Sequence, residues 1–236
     1  MIVIYGTAFY GKVANHGGQH QLTKFFHVYY VPLIPVGTLW VTEHMDEGYR
    51  GHGVRMSGRS VLAGYARVWG PLAVIGGLVA GGVGGLAAVV GAAALCAWSW
   101  TWRSLRAPLA RRRSDFNLLA FGTRCDPLQM PADLLAVLQG SVDERWALVS
   151  EGSTPEDVAR LGAKSLSQAV LAYASLRIAA RLAPGEHARA ARDASERIIA
   201  AVTDIDETAL EGGPYRAPGL PRLTEGRIAD DGAPPA

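Results

Sequence analysis

The sequence predicts an α+β membrane protein: a small N-terminal antiparallel β module, a transmembrane helical hairpin and a C-terminal α-helical bundle. The strongest observation is the run from Val68 to Trp102, which contains no Asp, Glu, Lys, Arg or His. About 18 uncharged apolar residues already make a transmembrane candidate, and this run is nearly twice as long. Short aromatic and β-branched segments precede it, and apolar residues at three-to-four spacing follow it.

Residues 1–58 predict the β module. Five short segments rich in apolar, aromatic and β-branched residues are separated by glycine or turn residues, as in small β domains. Pro32 and Pro35 interrupt the third segment, which allows an edge strand or an extended crossover but excludes a central strand. We expect an aromatic core, formed by Tyr5, Phe9, Phe25, Tyr29 and Trp40. The segments are 1–5, 9–13, 21–30, 39–42 and 48–56.

The motifs of this module carry a family resemblance. YGT begins at Tyr5, FYGKV at Phe9, TKFFH at Thr23 and PLIPVG at Pro32. In this order they resemble the N-terminal module of uncharacterised bacterial membrane proteins, which is similar to small zinc-ribbon domains. The resemblance implies a zinc-ribbon-like fold for about the first 60 residues. No Cys-x-x-Cys pair occurs there, so no ligand residue carries over.

Histidines are the remaining metal-ligand candidates in this module. His16 and His20 have H-x3-H spacing, and imidazole is a good zinc ligand. On a glycine-rich turn, however, this spacing does not place two rings on one helical face. We therefore predict no metal and no cofactor, and keep His16 and His20 as weak candidates only.

Residues 59–105 predict the membrane segment. One helix of roughly 35 residues would be about 52 Å long, against a hydrocarbon core of about 30 Å. Two helices broken between Gly81 and Gly85 fit better, because glycine favours a turn. The alternatives are one tilted span of about 22 residues and a glycine-rich soluble segment. Gly77, Gly81 and Gly85, at four-residue spacing, form a small-residue ridge suited to helix–helix contact.

Charge predicts the topology of the hairpin. Arginines flank the apolar run on both sides, so the positive-inside rule places both termini in the cytoplasm of a cell membrane, the bacterial inner membrane if the resemblance holds. Tryptophans near both ends of the run would form one aromatic belt, and the basic residues would contact anionic lipid headgroups. The predicted membrane-interface residues are Arg67, Trp69, Trp98, Trp100, Trp102, Arg103, Arg111, Arg112 and Arg113.

The remainder predicts a basic linker and loop at 106–130, an α-helical cytoplasmic domain at 131–211 and a disordered tail at 212–236. Thr154 followed by Pro155 and two acidic residues is a helix N-terminus signal. We expect one long helix from Thr154 to Pro184, preceded by two short helices at 131–138 and 142–149. Another helix is expected at 186–202. The tail is rich in proline and glycine and poor in apolar residues.

No motif in the chain identifies a reaction, so we predict no catalytic residue. A net charge of +2 does not predict nucleic-acid binding. The preferred hypothesis is a non-catalytic, membrane-anchored interaction or scaffold protein, whose partners are the lipid bilayer and a protein partner or further copies of the chain. The alternative is a metal-binding protein or an enzyme that uses the histidines of the N-terminal module.

Overall fold

The computed structural model describes residues 4–45, 48–202 and 228–229, and within them it is an α+β fold with seven α-helices. The chain divides into two compact units. The first comprises 1–105 and 225–236, and the second comprises 106–224. Each unit is described separately below.

The N-terminal unit contains a four-stranded antiparallel sheet in which consecutive strands pair. Its strands are β1 (Tyr5–His16), β2 (Gln19–Val28), β3 (Val31–Met45) and β4 (Gly48–Val54), and the two-residue β5 (Ile228–Ala229) pairs with β4. Tyr29 and Tyr30 connect β2 to β3 and both have positive φ, 48° and 62°. Two central residues with positive φ are typical of the tight turns that suit the twist of a hairpin.

Strand β3 runs through Pro32 and Pro35, where we expected an interruption. Both prolines pair with β2, opposite His27 and Phe25. β4 joins β3 only from Thr38 onward, so the prolines lie where β3 has a strand on one side only. The β2–β3 register also shifts twice next to them. Prolines lack a donor, and this edge position with bulges accommodates them without a break.

The aromatic core is smaller than the sequence predicts. Phe25 is fully buried and Trp40 is 6% exposed, and Phe9 packs partly buried against the apolar side chains of β2 and β3. The expectation was wrong for Tyr5 and Tyr29, which are 71% and 47% exposed. Both lie at the end of the sheet beside the β2–β3 turn, where no element covers them.

Two apolar helices follow the sheet, α1 (Gly58–Ala80) and α2 (Gly82–Thr101), and each is long and apolar enough to cross a membrane. The break falls at Gly81, which has a φ of 66° and is followed by Gly82 at 65°. These values suit glycine and disfavour other residues, so the prediction of two helices is confirmed over a single continuous one.

The two helices approach closely at glycine. A Cβ atom built on Gly77 would lie 2.8 Å from the carbonyl oxygen of Gly85 and 2.9 Å from a methyl carbon of Val89. The contact therefore requires glycine at this point. Of the predicted ridge, Gly77 and Gly85 lie in this contact, whereas Gly81 lies in the turn with open space around it.

A chain of buried hydroxyls joins the sheet to the first turn of α1. Thr23 on β2 donates to the Ser60 hydroxyl at 2.8 Å, and Ser60 donates to the carbonyl oxygen of Gly11 on β1, also at 2.8 Å. Gly11 has a φ of 71°, and a side chain there would collide with the backbone of Ser60. The close approach of β1 to α1 therefore depends on glycine and on a small hydroxyl.

The C-terminal unit is a helical bundle that differs from the prediction in three places. The segment predicted as a basic linker and loop forms a helix over most of its length, because Pro108 occupies the first helical position and does not act as a breaker. The two short helices are one, continuous through Gly140. The long helix is broken at Gly162, whose φ is 95°. The helices are α3 (Pro108–Phe121), α4 (Ala132–Val149), α5 (Pro155–Leu161), α6 (Leu166–Leu182) and α7 (Gly185–Ala201), with a 3₁₀ turn at Pro127–Gln129.

The predicted start of α5 is confirmed. The Thr154 hydroxyl accepts from the backbone N–H of Asp157 at 3.1 Å, and the Asp157 carboxylate accepts from the backbone N–H of Thr154 at 3.2 Å. This reciprocal pair is a capping box. The predicted disordered tail lies outside the described residues except for β5, as do residues 1–3 of the first predicted strand.

Replacement of Gly77 by valine tests the helix contact. We expect Gly77→Val to lower the free energy of unfolding by about 1 to 3 kcal/mol, since the added methyl groups meet backbone and Val89. Gly76→Val is the matched control, because a Cβ atom there meets nothing within 4 Å. The measurement is the unfolding midpoint of the full chain in detergent. Equal midpoints for the two variants would contradict the contact.

Candidate functional site

An open cleft of about 630 Å³ lies in the N-terminal unit, where the sheet meets the open end of the α1–α2 hairpin. Strands β1, β2, β3 and β4 and both helices contribute to its lining. Three cationic side chains, Lys12, Arg67 and Arg103, line it together with aromatic rings, and among the described residues its lining includes neither aspartate nor glutamate. The cleft is therefore strongly basic.

Arg67 is held in place by backbone oxygens from both sides of the cleft. It donates through Nη1 to the carbonyl oxygen of Lys12 at 2.7 Å and through Nη2 to that of Ser99 at 2.6 Å. Its Nε is buried and has no hydrogen-bond partner among the described residues. Arg67 therefore links β1, α1 and α2, and keeps its positive charge without a carboxylate.

Trp100 forms an aromatic wall beneath two of the cations. The Arg67 guanidinium carbon lies 4.9 Å from the centroid of the Trp100 ring, and that of Arg103 lies 5.3 Å from it. Both distances are within the range of cation–π attraction. The ring thereby stabilises two like charges near each other without neutralising them.

The third cation, Lys12, lies on β1. Partial burial and then the nearby charge of Arg103 lower the pKa of the Lys12 amine from its usual range. Both causes disfavour the charged form of a lysine. Nearby negative charge therefore does not compensate for the burial of the Lys12 ammonium and its repulsion by Arg103.

Backbone pairing fixes the position of Arg103 relative to β1. The N–H groups of Ala14 and Asn15 donate to the carbonyl oxygens of Trp102 and Arg103, at 3.0 and 2.8 Å. Leu105 donates back to Asn15 at 3.2 Å. The segment after α2 therefore adds to the edge of β1, and its bonds use only backbone atoms.

Within the described residues no group of three or more His, Cys, Asp or Glu side chains is placed to hold a metal ion. His20 lies within hydrogen-bond distance of the Gly18 carbonyl oxygen, 3.2 Å, and burial is the main cause that lowers its pKa. Its ring packs edge-on against Tyr49. His16 pairs with Gln19 beside the β1–β2 turn. His16 and His20 are therefore placed by backbone pairing and ring contacts of the sheet.

The predicted interface residues are distributed over both units. Trp69 donates to the carbonyl oxygen of Pro32 at 3.1 Å, and Trp98 and Trp102 pack edge to face at 4.6 Å. These three and Trp100 thus surround the end of the hairpin that contacts the sheet. The residues Arg111, Arg112 and Arg113 instead lie in α3 of the C-terminal unit.

A buried ionic cluster lies in the C-terminal unit, where α6 meets α7 and the 3₁₀ turn. The side chain of Arg177 is 2% exposed and pairs with Asp126 at 2.6 Å and Glu196 at 3.1 Å. Arg113 pairs with the same Glu196 at 2.7 Å. Burial alone would lower the pKa of Arg177, but the hydrogen bond and charge of Asp126 outweigh it and raise that pKa.

Two ionisable groups next to this cluster, Cys125 and Tyr173, are buried. Cys125 is fully buried, and burial followed by the charge of Asp126 raises the pKa of its thiol well above the usual range. The same two causes raise the pKa of the buried Tyr173 hydroxyl, which donates to Asn117 at 2.7 Å. Both groups stay protonated at neutral pH, and the cluster is two cations balanced by two carboxylates. It therefore fixes the packing of the bundle.

No protein-family model, curated protein or solved structure matches this chain. The zinc-ribbon resemblance of the N-terminal module therefore stays a prediction. What the site can do must be argued from its own geometry.

Lys12 is the site residue that the sequence analysis did not identify. It occurs in the FYGKV segment, which we interpreted only as a strand. Arg67 and Arg103 were predicted as interface residues, but not as neighbours of one another across the hairpin. The available signal was that both flank the apolar run, so a hairpin brings its ends together.

A pH titration tests His52 of β4, a partly buried residue. Burial lowers its pKa from 6.5 to about 4, and its Nε2 is buried without a hydrogen-bond partner. The unfolded chain therefore binds an extra proton between these values, and stability falls as the pH drops from about 6.5 towards 4. We expect a loss on the order of 3 kcal/mol over this window. His52→Gln should flatten this part of the stability profile, measured by unfolding midpoints. Parallel profiles for the variant and the native chain would contradict the assignment.

Removal of the Arg177 guanidinium tests the ionic cluster. We expect Arg177→Met to lower the free energy of unfolding of the bundle by about 3 kcal/mol or more, because Asp126 is left without its cation. Arg160→Met is the matched control, since the Arg160 side chain, which pairs with Asp157, is 71% exposed. That change should cost about 0.5 kcal/mol or less. A similar cost for both variants, measured by helix content during denaturation, would disprove the role of the cluster.

Proposed function

We propose that this protein is a non-catalytic interaction or scaffold protein anchored by a transmembrane helical hairpin, with both termini and both soluble parts in the cytoplasm. One observation carries the proposal. Helices α1 and α2 pack on each other as a pair, and most of their apolar surface is exposed. Exposure of such a surface to water is unfavourable, whereas its contact with the hydrocarbon core of a bilayer is favourable.

The helix lengths support a crossing. The 23 residues of α1 span about 34 Å and the 20 residues of α2 about 30 Å, against a hydrocarbon core of about 30 Å. The first turns of α1 contact the sheet, however. Residues 68–80, the part of α1 beyond Arg67, span about 20 Å. With Arg67 at the level of the headgroups, a crossing therefore requires the bilayer to thin around the hairpin.

The exposed end of the sheet is suited to the membrane interface. It carries apolar and aromatic side chains beside the β2–β3 turn, and Ile34 is 60% exposed. Tyr65 and Trp69 on α1 donate to backbone oxygens in this region, at Leu33 and Pro32. The side chains that would enter the interface are Ile4, Tyr5, Tyr29, Tyr30, Leu33 and Ile34. Tyrosine and tryptophan favour this layer, because their rings are apolar and their polar groups reach water.

Charge supports the cytoplasmic orientation of both flanks. Four arginines precede the apolar run, the first of them within β4, and five lie in the segment that follows it. The positive-inside rule keeps both groups on the side of synthesis. They are Arg50, Arg55, Arg59 and Arg67, then Arg103, Arg106, Arg111, Arg112 and Arg113.

The C-terminal bundle supports a role in docking. Among the described residues, its ionisable core is a cluster in which two arginines pair with two carboxylates around the buried Arg177. Large apolar side chains remain on its surface, including Leu148, 85% exposed, and Leu161, 76% exposed. A protein partner or a further copy of the chain would cover such residues. The net charge of +2 argues against nucleic acid as that partner.

Single cysteines test the topology. In a Cys96→Ala, Cys125→Ala background, we place cysteine at Val83 in the hairpin turn, 88% exposed, and at Met56 and Ala107 on the two flanks. A membrane-impermeant thiol reagent should label residue 83 in intact cells, and residues 56 and 107 only after the membrane is made permeable. The cysteine-free chain is the control.

Two results would contradict the proposal. Labelling of only one flank from outside would place the flanks on opposite sides of the membrane. Failure to label residue 83 from either side would show that the turn stays within the bilayer and that the hairpin does not cross.

A further inference from the structure

The basic cleft of the N-terminal unit has an excess of positive charge that its own residues do not balance. Among the described residues, Lys12, Arg67 and Arg103 form no ion pair with a carboxylate, whereas other arginines of the chain do. Charges that are partly buried and near one another are costly unless an opposite charge compensates them. This cost indicates a ligand that supplies negative charge.

The arrangement of donors also indicates a ligand. Arg67 uses two nitrogens to fix itself to Lys12 and Ser99, which leaves a buried Nε without a partner. Arg103 is fixed through its backbone, so its guanidinium remains free to bind. Planar guanidinium groups and an ammonium together suit a group with several oxygens around one centre. A phosphate group has that shape and charge.

The aromatic wall adds a second property to the cleft. Trp100 lies against both guanidinium groups, and Phe9, Tyr10 and Tyr49 also line the space. At about 630 Å³ the cleft is larger than a phosphate ion, and it has apolar wall area beside the cations. It would hold a phosphate group that carries an organic substituent.

We propose that this cleft is a binding site for a phosphate-bearing anion, in which Lys12, Arg67 and Arg103 hold the phosphate oxygens and Trp100 packs beside them. The phosphate belongs to an anionic lipid headgroup or to a soluble phosphate compound. The lipid source rests on the proposed membrane hairpin, because that hairpin places the cleft at the level of the headgroups. Binding of the phosphate itself rests only on the cleft.

The test compares two variants with the same loss of charge. Lys12→Gln with Arg103→Gln removes two cations from the cleft and leaves the backbone bonds of both residues intact. Arg55→Gln with Arg59→Gln removes two exposed cations near the same end of the hairpin, outside the cleft. Each full-length protein is purified in non-ionic detergent, and its unfolding midpoint is compared with that of the native chain. If the double variant does not fold, the single Lys12→Gln change takes its place.

Two probes distinguish the sources of phosphate. Inorganic phosphate is titrated by calorimetry, and phosphatidylglycerol retained by the protein is measured by native mass spectrometry, with phosphatidylcholine as the neutral lipid. We expect the native chain and the exposed-arginine variant to bind alike, and the cleft variant to bind on the order of tenfold more weakly. Retention of phosphatidylglycerol without a phosphate signal identifies a headgroup site, and the reverse result identifies a soluble ligand.

Two outcomes would overturn the proposal. One is that the native chain binds neither probe. The other is that both variants lose binding equally, which would show a response to net charge and not to the cleft. Cysteine labelling measures topology independently of anion binding, so failure here leaves the membrane hairpin standing.

Discussion

The hydroxyl of Ser60 sets the geometry of the N-terminal unit, because it is the point at which α1 meets two strands at once. It accepts from Thr23 and donates to the Gly11 carbonyl oxygen in a buried setting, where an unmade hydrogen bond is costly. Gly11 permits the approach, since any side chain there would strike the backbone of α1. The direction of α1 and its close approach to the sheet therefore depend on this contact.

The cleft is a consequence of that geometry. Once the start of α1 is fixed on β1, the next turns place Arg67 against the backbone of Lys12. The close glycine contact of the two helices then brings the end of α2 back to the same strand, with Arg103 beside it. Each of the three cations is thus positioned by a bond or contact that involves backbone. The packing of the hairpin holds the three cations near one another, and no carboxylate among the described residues pairs with them.

The sequence predicted those features that depend on composition over a long stretch. The uncharged run was too long for one helix, and Gly81 marked the break because few residues tolerate its backbone conformation. Signals that rest on one or two residues predicted the structure less well. Pro108 starts a helix in a segment that the sequence predicts as a linker. Pro32 and Pro35 lie in a part of β3 that has a neighbouring strand on one side only. The hydrogen bond from Arg67 to the carbonyl oxygen of Lys12 had no local signal in the sequence, because any residue can supply a backbone carbonyl as acceptor.

The edge pairing between β1 and the segment after α2 orders the events of folding. Ala14 and Asn15 leave the ribosome well before Trp102 and Arg103, whose carbonyl oxygens they bind. Synthesis proceeds at about 5 to 20 residues per second, so the N–H groups of β1 are made several seconds before these carbonyl oxygens. The hairpin must be made, and its two helices brought together, before β1 obtains its last partners. Strand β1 is therefore completed only after α2 has formed.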